Sequence, residues 1–288
     1  ITLNDYTVAL AGTSSDLATA LSGSFASSYT GNVTITDNHT LTQLKAINDA
    51  TTGAITLHVT NGALSGSIAD IKAAFAGTIT THTGTVSITD ANATDITATD
   101  ILTINSAATG AIIVSNAIDI NGSGAEVAAA FTAIDTNTGN ATANITGTDY
   151  TVAQLKTINA ATTGAIVLAS TGIALSGDSS DIAAAFAGTV TTHTGDITVT
   201  NNDYTVAELV TINDATNGTI TLNHAGVAIS GTVANLKSAF AGTITTHTGT
   251  VEITDANGTD ITATHITDIN TSNTGTITVA NAIDLNGS

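Results

Sequence analysis

The chain has 288 residues, with four Lys or Arg against 23 Asp or Glu, for a formal net charge of −19. It contains no Pro, Cys, Met or Trp, so disulfides, thiolate metal sites and thiol redox chemistry are excluded. The acidity opposes binding to nucleic-acid phosphates or to anionic membranes, and no apolar run is long enough for membrane insertion. An apolar content of 42% is nevertheless enough to bury a core.

In chain order, the first clear element is NVTIT (32–36), where apolar and Thr-like residues alternate as in a strand with one buried face. TLTQ (40–43) then predicts a helix start. A Thr N-cap and a Gln three residues on satisfy each other's backbone N–H groups, and Leu41, Leu44 and Ile47 form the inward stripe. AITLH (54–58) is the next strand and SIAD (67–70) the next helix start, with Ile71 and Phe75 inward and Gly77 ending the helix. The TITTH run (78–82) carries the chain across to a Thr-Gly pair at 83–84, which is read as a turn into the following strand.

The same order recurs downstream. Helices are predicted at SGAE (123–126, with Val127 and Phe131) and TVAQ (151–154, with Val152, Leu155 and Ile158). Further starts are DSSD (178–181, with Ile182, Phe186 and the terminating Gly188) and TVAE (205–208, with Val206, Leu209 and Ile212). The last is TVAN (232–235, with Leu236, Phe240 and the terminating Gly242). TITLN (219–223) and TITVA (276–280) are strands, the latter with Ile277 and Val279 inward. Eleven strands and ten helices are expected in all.

This recurrence is a repeat. Gly31, Gly84, Gly139, Gly195 and Gly249 mark units of about 55 residues, each split in two by Gly53, Gly110, Gly164, Gly218 and Gly275. Residues 83–123 match 248–288 at an offset of 165, or three units. Ile1, Leu3, Gly12 and Asp16 sit the same distance before Ile166, Leu168, Gly177 and Asp181. The fold class expected is α/β: a right-handed solenoid of strand–helix coils with a parallel sheet, in about 55-residue two-coil units and a 165-residue super-repeat. Residues 1–288 read as one continuous array cut from a longer one. Its units are 1–30 (partial), 31–83, 84–138, 139–194, 195–248 and 249–288 (partial).

Two ladders are expected inside it. Phe75, Phe131, Phe186 and Phe240 share one slot as an apolar spine, and Asn48, Asn105, Asn159, Asn213 and Asn270 follow the last helical Ile, where each can bond the next coil. The Asn ladder resembles that of leucine-rich-repeat proteins, although their L-x-x-L-x-L-x-x-N consensus is missing. The resemblance is therefore architectural.

Among chemical candidates, several loops after strands are Asp/Asn-rich: TDANATD (89–95), TDANGTD (254–260), NNDYT (201–205) and TDNHT (36–40), of which the first two offer Asp90 with Asp95 and Asp255 with Asp260 as calcium ligands. The competing reading is that these residues build turns and cap helices. No other cofactor is expected. His82, His193 and His247 share a slot that elsewhere holds Tyr29 and Asn137, which reads as a tolerant structural position rather than a metal column. Outward Thr pairs such as Thr219 with Thr221 and Thr276 with Thr278 raise an ice-binding reading, interrupted by Asp196, Glu252, Val167 and Ile113. No nucleophile elbow, phosphate loop or zinc helix occurs, so no catalytic residue is assigned. Sequons at Asn32, Asn92, Asn140 and Asn257, and outward Thr, are candidate glycan sites.

An acidic, Cys-free array rich in Thr, Ala, Asn and Gly resembles the giant repeat proteins of bacterial surfaces: adhesins, S-layer components and extracellular filaments. The resemblance implies a non-enzymatic structural role at a bacterial cell surface or outside the cell, with self-association end to end or continuation in a longer chain. A cation-dependent adhesin or binding module is the alternative, and FASSYTG (25–31), where the repeat is broken, is the place to look for its patch.

Overall fold

The structure, a computed structural model, describes residues 1–287. Its described residues form a mixed α/β fold with ten helices and nineteen short strands. The helices are α1 (Ser14–Leu21), α2 (Leu41–Ala50), α3 (Ile68–Ala74), α4 (Ala98–Ala107), α5 (Gly124–Ala133), α6 (Val152–Ala161), α7 (Ser179–Phe186), α8 (Val206–Ala215), α9 (Val233–Ala239) and α10 (Ala263–Ser272). Successive helices begin 26 to 30 residues apart. Strands pair in parallel: Val33–Ile35 lies between Leu10–Gly12 and Ile55–Leu57, and Ile197–Val199 between Leu175–Gly177 and Ile220–Leu222.

The chain divides into two compact units. One comprises residues 1–122 with 129–143; the other comprises 123–128 with the chain from Asn144 onward. In the first, α1 to α4 pack side by side in chain order, and Val33, Ile35, Leu44, Ile47, Ile71, Ile101, Ile104 and Ile112 are fully excluded from solvent. In the second, α6 to α10 do the same over Leu155, Ile158, Ile182, Leu209, Ile212, Leu236 and Val251. The apolar stripes read from the sequence all face these cores.

The eleven expected strands understate the count, because pieces such as Leu64–Gly66, Asp95–Thr97, Leu175–Gly177 and Ile229–Gly231 carry a single inward apolar residue and show no alternation. The TITTH run, which the Thr/Ile alternation would suit as a short extra strand, is not one. It makes two isolated bridges, Ile79 to Ile55 and His82 to Ala108. Val279 was expected inward yet is 46% exposed, because Ile277–Val279 is the outer strand of its sheet and is paired on one side only.

Local signals set the helix starts. Thr40, Thr151 and Thr205 form the expected capping boxes, Ser123 makes the same reciprocal bonds with Glu126, and Thr262 does so with His265. Asp178 precedes α7 but makes no cap bond; its carboxylate instead accepts from Thr200 Oγ1 at 3.1 Å. Gly77 and Gly242 end their helices with φ of +72° and +69°. Gly188 does not adopt that conformation; α7 runs through Phe186 to a right-handed cap at Ala187. At Gly188 a Cβ would meet Asn159 Oδ1 at 2.2 Å, so a larger residue there would have to displace that side chain from its bond to the Ala184 carbonyl.

The Thr-Gly pairs bend into the following strands as expected, and their glycines also mark close backbone approach. A Cβ on Gly110 would lie 1.9 Å from the carbonyl oxygen of Gly84, and one on Gly218 would lie 2.0 Å from that of Gly195.

Candidate functional site

Each of four helices receives an acceptor from a loop 22 or 23 residues further along. Asp37 Oδ1 accepts from Ser14 N at 2.7 Å, Asp90 Oδ2 from Ile68 N at 2.7 Å, Asn201 Oδ1 from Ser179 N at 2.8 Å and Asp255 Oδ2 from Val233 N at 2.8 Å. These are the first N–H groups of α1, α3, α7 and α9, which lack a partner inside their own helices. The three carboxylates also sit where the helix dipole favours negative charge.

Two of the four calcium candidates, Asp90 and Asp255, are therefore long-range helix caps. Asp95 and Asp260 are exposed and accept from Asn121 Nδ2 at 3.0 Å and Asn286 Nδ2 at 2.8 Å. Among the described residues, no three His, Asp or Glu form a group able to hold a metal ion. Asp37 and Asn201 lie in the other two Asp/Asn-rich loops, TDNHT and NNDYT, each in the same place after its strand as Asp90 and Asp255.

Loss of such a cap has a measurable cost. Asp255→Ala should lower stability by about 1 kcal/mol in urea unfolding, while Asp260→Ala should stay within about 0.5 kcal/mol. Equal losses that appear only with calcium present would point to a shared cation instead.

The ladders divide unevenly. All four spine phenylalanines are buried. Asn48 Nδ2 donates to the carbonyls of Ala73, Ala74 and Ala76, Asn159 to Ala184, and Asn213 to Ser238 and Ala241. Each of these three faces a helix that ends before Gly77, Gly188 or Gly242. Asn105 and Asn270 are exposed.

The shared histidine slot is a buried aromatic cluster. Phe75 with His82, Phe186 with His193 and Phe240 with His247 each have ring centroids 5.6 Å apart. A second ring comes from the residue before a helix N-cap, 43 residues earlier: His39 lies 6.2 Å from His82, Tyr150 6.3 Å from His193 and Tyr204 6.3 Å from His247. Tyr150 OH donates to the Ser170 carbonyl at 2.7 Å and Tyr204 OH to that of His224 at 2.9 Å. Burial pushes both phenols up to about 12. It also holds the imidazoles of His39, His82 and His193 below the ordinary histidine value.

Other surface candidates are less organised. Strands such as Ile197–Val199 and Ile220–Leu222 turn out a single side chain, Thr198 beside Thr221, so the hydroxyl rows there are one residue wide. Of the sequon asparagines, Asn32, Asn92 and Asn257 accept from Ala54, Ala117 and Ala282 N–H groups, and Asn140 is exposed at φ +53°. In the first unit, Leu3, Val8, Leu10, Leu21, Phe25 and Tyr29 line an apolar cleft of about 460 Å³. No protein-family model, curated protein or solved structure matches this chain.

Proposed function

We propose that the chain is a non-enzymatic structural protein that builds length in an extracellular filament or bacterial surface layer. In this reading the fold is a right-handed solenoid of strand–helix coils, grouped in about 55-residue two-coil units under a 165-residue super-repeat. Units are added end to end in one chain or between chains. The right hand follows from the rule that parallel strands joined through a helix cross over that way in about 98% of cases.

The observation that carries the proposal is that the polar groups of one coil are satisfied by the next. Strand pairings, the Asp and Asn caps on α1, α3, α7 and α9, and the Asn48, Asn159 and Asn213 bonds all run between coils 20 to 30 residues apart. Three of the four lysines act likewise: Lys72 pairs with Asp100, Lys156 with Asp181 and Lys237 with Asp268, each between consecutive helices. A coil so made presents donors and acceptors to the next, which is what growth by addition requires. Spread over the array, the acidic surface keeps neighbouring fibres apart.

Electron microscopy of the purified protein tests this. Fibres are expected, with an axial repeat of about 29 Å from six coils at roughly 4.8 Å each. Dispersed short particles at all concentrations and ionic strengths would overturn the filament.

A further inference from the structure

We propose that the buried histidines at positions 39, 82 and 193 make this fold acid-labile, so that mild acidification opens the coils around them. All three are enclosed, His82 and His193 completely and His39 with 7% of its surface exposed. Both ring nitrogens of His39, both of His82 and Nε2 of His193 have no hydrogen-bond partner. A neutral imidazole has one N–H and one lone pair to satisfy, whereas an imidazolium has two N–H groups and a charge. Protonation therefore raises the cost of burial at each of these places.

The neighbours do little to offset that cost. His39 and His82 face one another, so each opposes a charge on the other, and Phe75 covers His82. The backbone carbonyls of Asp37, Gly62 and Ile173 favour a charge on His39, His82 and His193, and the Asp37 carboxylate adds to this at His39, but desolvation outweighs them at each ring, and that carboxylate is already occupied by Ser14. His193 meets Phe186 and the Tyr150 hydroxyl, the latter 3.3 Å from Nδ1 and itself donating to Ser170.

His247 in the same slot is the contrast. Its Nδ1 lies 2.9 Å from Asn273 Oδ1 and its Nε2 lies 2.8 Å from the Val227 carbonyl oxygen, so an N–H on either nitrogen has an acceptor. Asn273 is what differs, since Ala108 and Thr216 hold the bridging position opposite His82 and His193. The unpartnered ring nitrogens thus belong to particular coils and not to the slot as such.

The sign follows from proton linkage. The unfolded chain takes up protons at these rings near pH 6.5, while the folded chain does so only at lower pH. Stability is therefore full above about pH 6.5 and falls as pH drops toward the folded values. Each histidine raises the unfolding constant up to about tenfold per pH unit in that window, and the three together up to about a thousandfold. Most carboxylates titrate below it, so the window isolates the histidines.

The test is urea unfolding of the full chain at pH 7.5 and 5.5, for the wild type and for His39→Tyr, His82→Gln and His193→Gln, singly and combined. Tyr stands in the His39 place at positions 150 and 204. The wild-type midpoint should fall at pH 5.5, each single variant should remove part of the fall, and the triple variant most of it. If the triple variant does not fold, the ring-proton NMR signals of the wild type decide. Those of His39, His82 and His193 should keep neutral-ring positions at pH 6 in the folded chain. A wild-type midpoint unchanged between the two pH values, or three rings that protonate while the fold stays intact, would overturn the proposal.

Discussion

Gly218→Ala should lower stability by about 3 kcal/mol, the upper end of what overpacking typically costs. The new methyl carbon would sit 2.0 Å from the carbonyl oxygen and 2.5 Å from the carbonyl carbon of Gly195. Both are backbone atoms, held in place by the pairing of Ile197–Val199 with Ile220–Leu222, so neither can swing aside. Relief requires the two coils to separate, which stretches the Asn217 N to His193 O and Thr216 Oγ1 to Gly195 O bonds, now 2.9 and 3.2 Å. Gly172→Ala is the matched control. Its methyl carbon would meet only Thr194 Oγ1 at 3.8 Å, and the loss of chain entropy on substitution should stabilise by about 0.5 kcal/mol. Urea midpoints of the two variants should move in opposite directions. A Gly218→Ala midpoint equal to that of the wild type would mean the coils are not in backbone contact there.

Phe240→Ala should cost about 3 to 5 kcal/mol, the range for removing a buried aromatic ring. Phe240 is 5% exposed at the end of α9, where its N–H donates to the Leu236 carbonyl and its ring covers His247. The ring closes one side of a cluster whose other side is Tyr204. Truncation leaves a cavity between groups pinned by backbone hydrogen bonds, so collapse into it is limited. Phe240→Leu keeps most of the volume and should cost less than about 1.5 kcal/mol. Equal losses for the two variants in urea unfolding would mean that the ring itself, rather than the filled volume, is what the site needs.

The repeat glycines show how far the sequence could be read. Their positions and the turn at each are evident in the sequence, but the steric reason for glycine is not. A Gly after Thr is equally consistent with a turn that needs positive φ and with a backbone too close for any side chain. Only the carbonyl of the preceding coil, 22 to 26 residues away in the chain, distinguishes the two. Gly188 repeats the lesson: its neighbours in sequence are those of Gly77 and Gly242, yet α7 extends through Phe186 and Asn159 occupies the space.

The acidic loops were ambiguous for a related cause. Asp90 and Asp95 are close in sequence, which suggests a shared cation. Asp90 instead reaches the start of α3, and Asp95 meets Asn121 on the strand paired beside it. A carboxylate's partner is set by what the fold brings to it, and that is non-local. The histidines divide in the same way. His82, His193 and His247 occupy one slot with the same local sequence, and their surroundings are made unlike by Ala108, Thr216 and Asn273 on the adjacent coil.

By itself, the sequence determined what is governed by neighbours within a few residues. The helix starts followed from Thr and Ser caps with their N3 partners, the buried helix faces from apolar spacing, and the α/β class from the alternation of strand and helix patterns. Tertiary structure alone decided the three-residue strands, the inter-coil caps, the steric role of the glycines and the difference among the histidines. Each of these depends on a hydrogen bond or a clash between chain segments twenty or more residues apart, and no local pattern encodes the approach of two backbones.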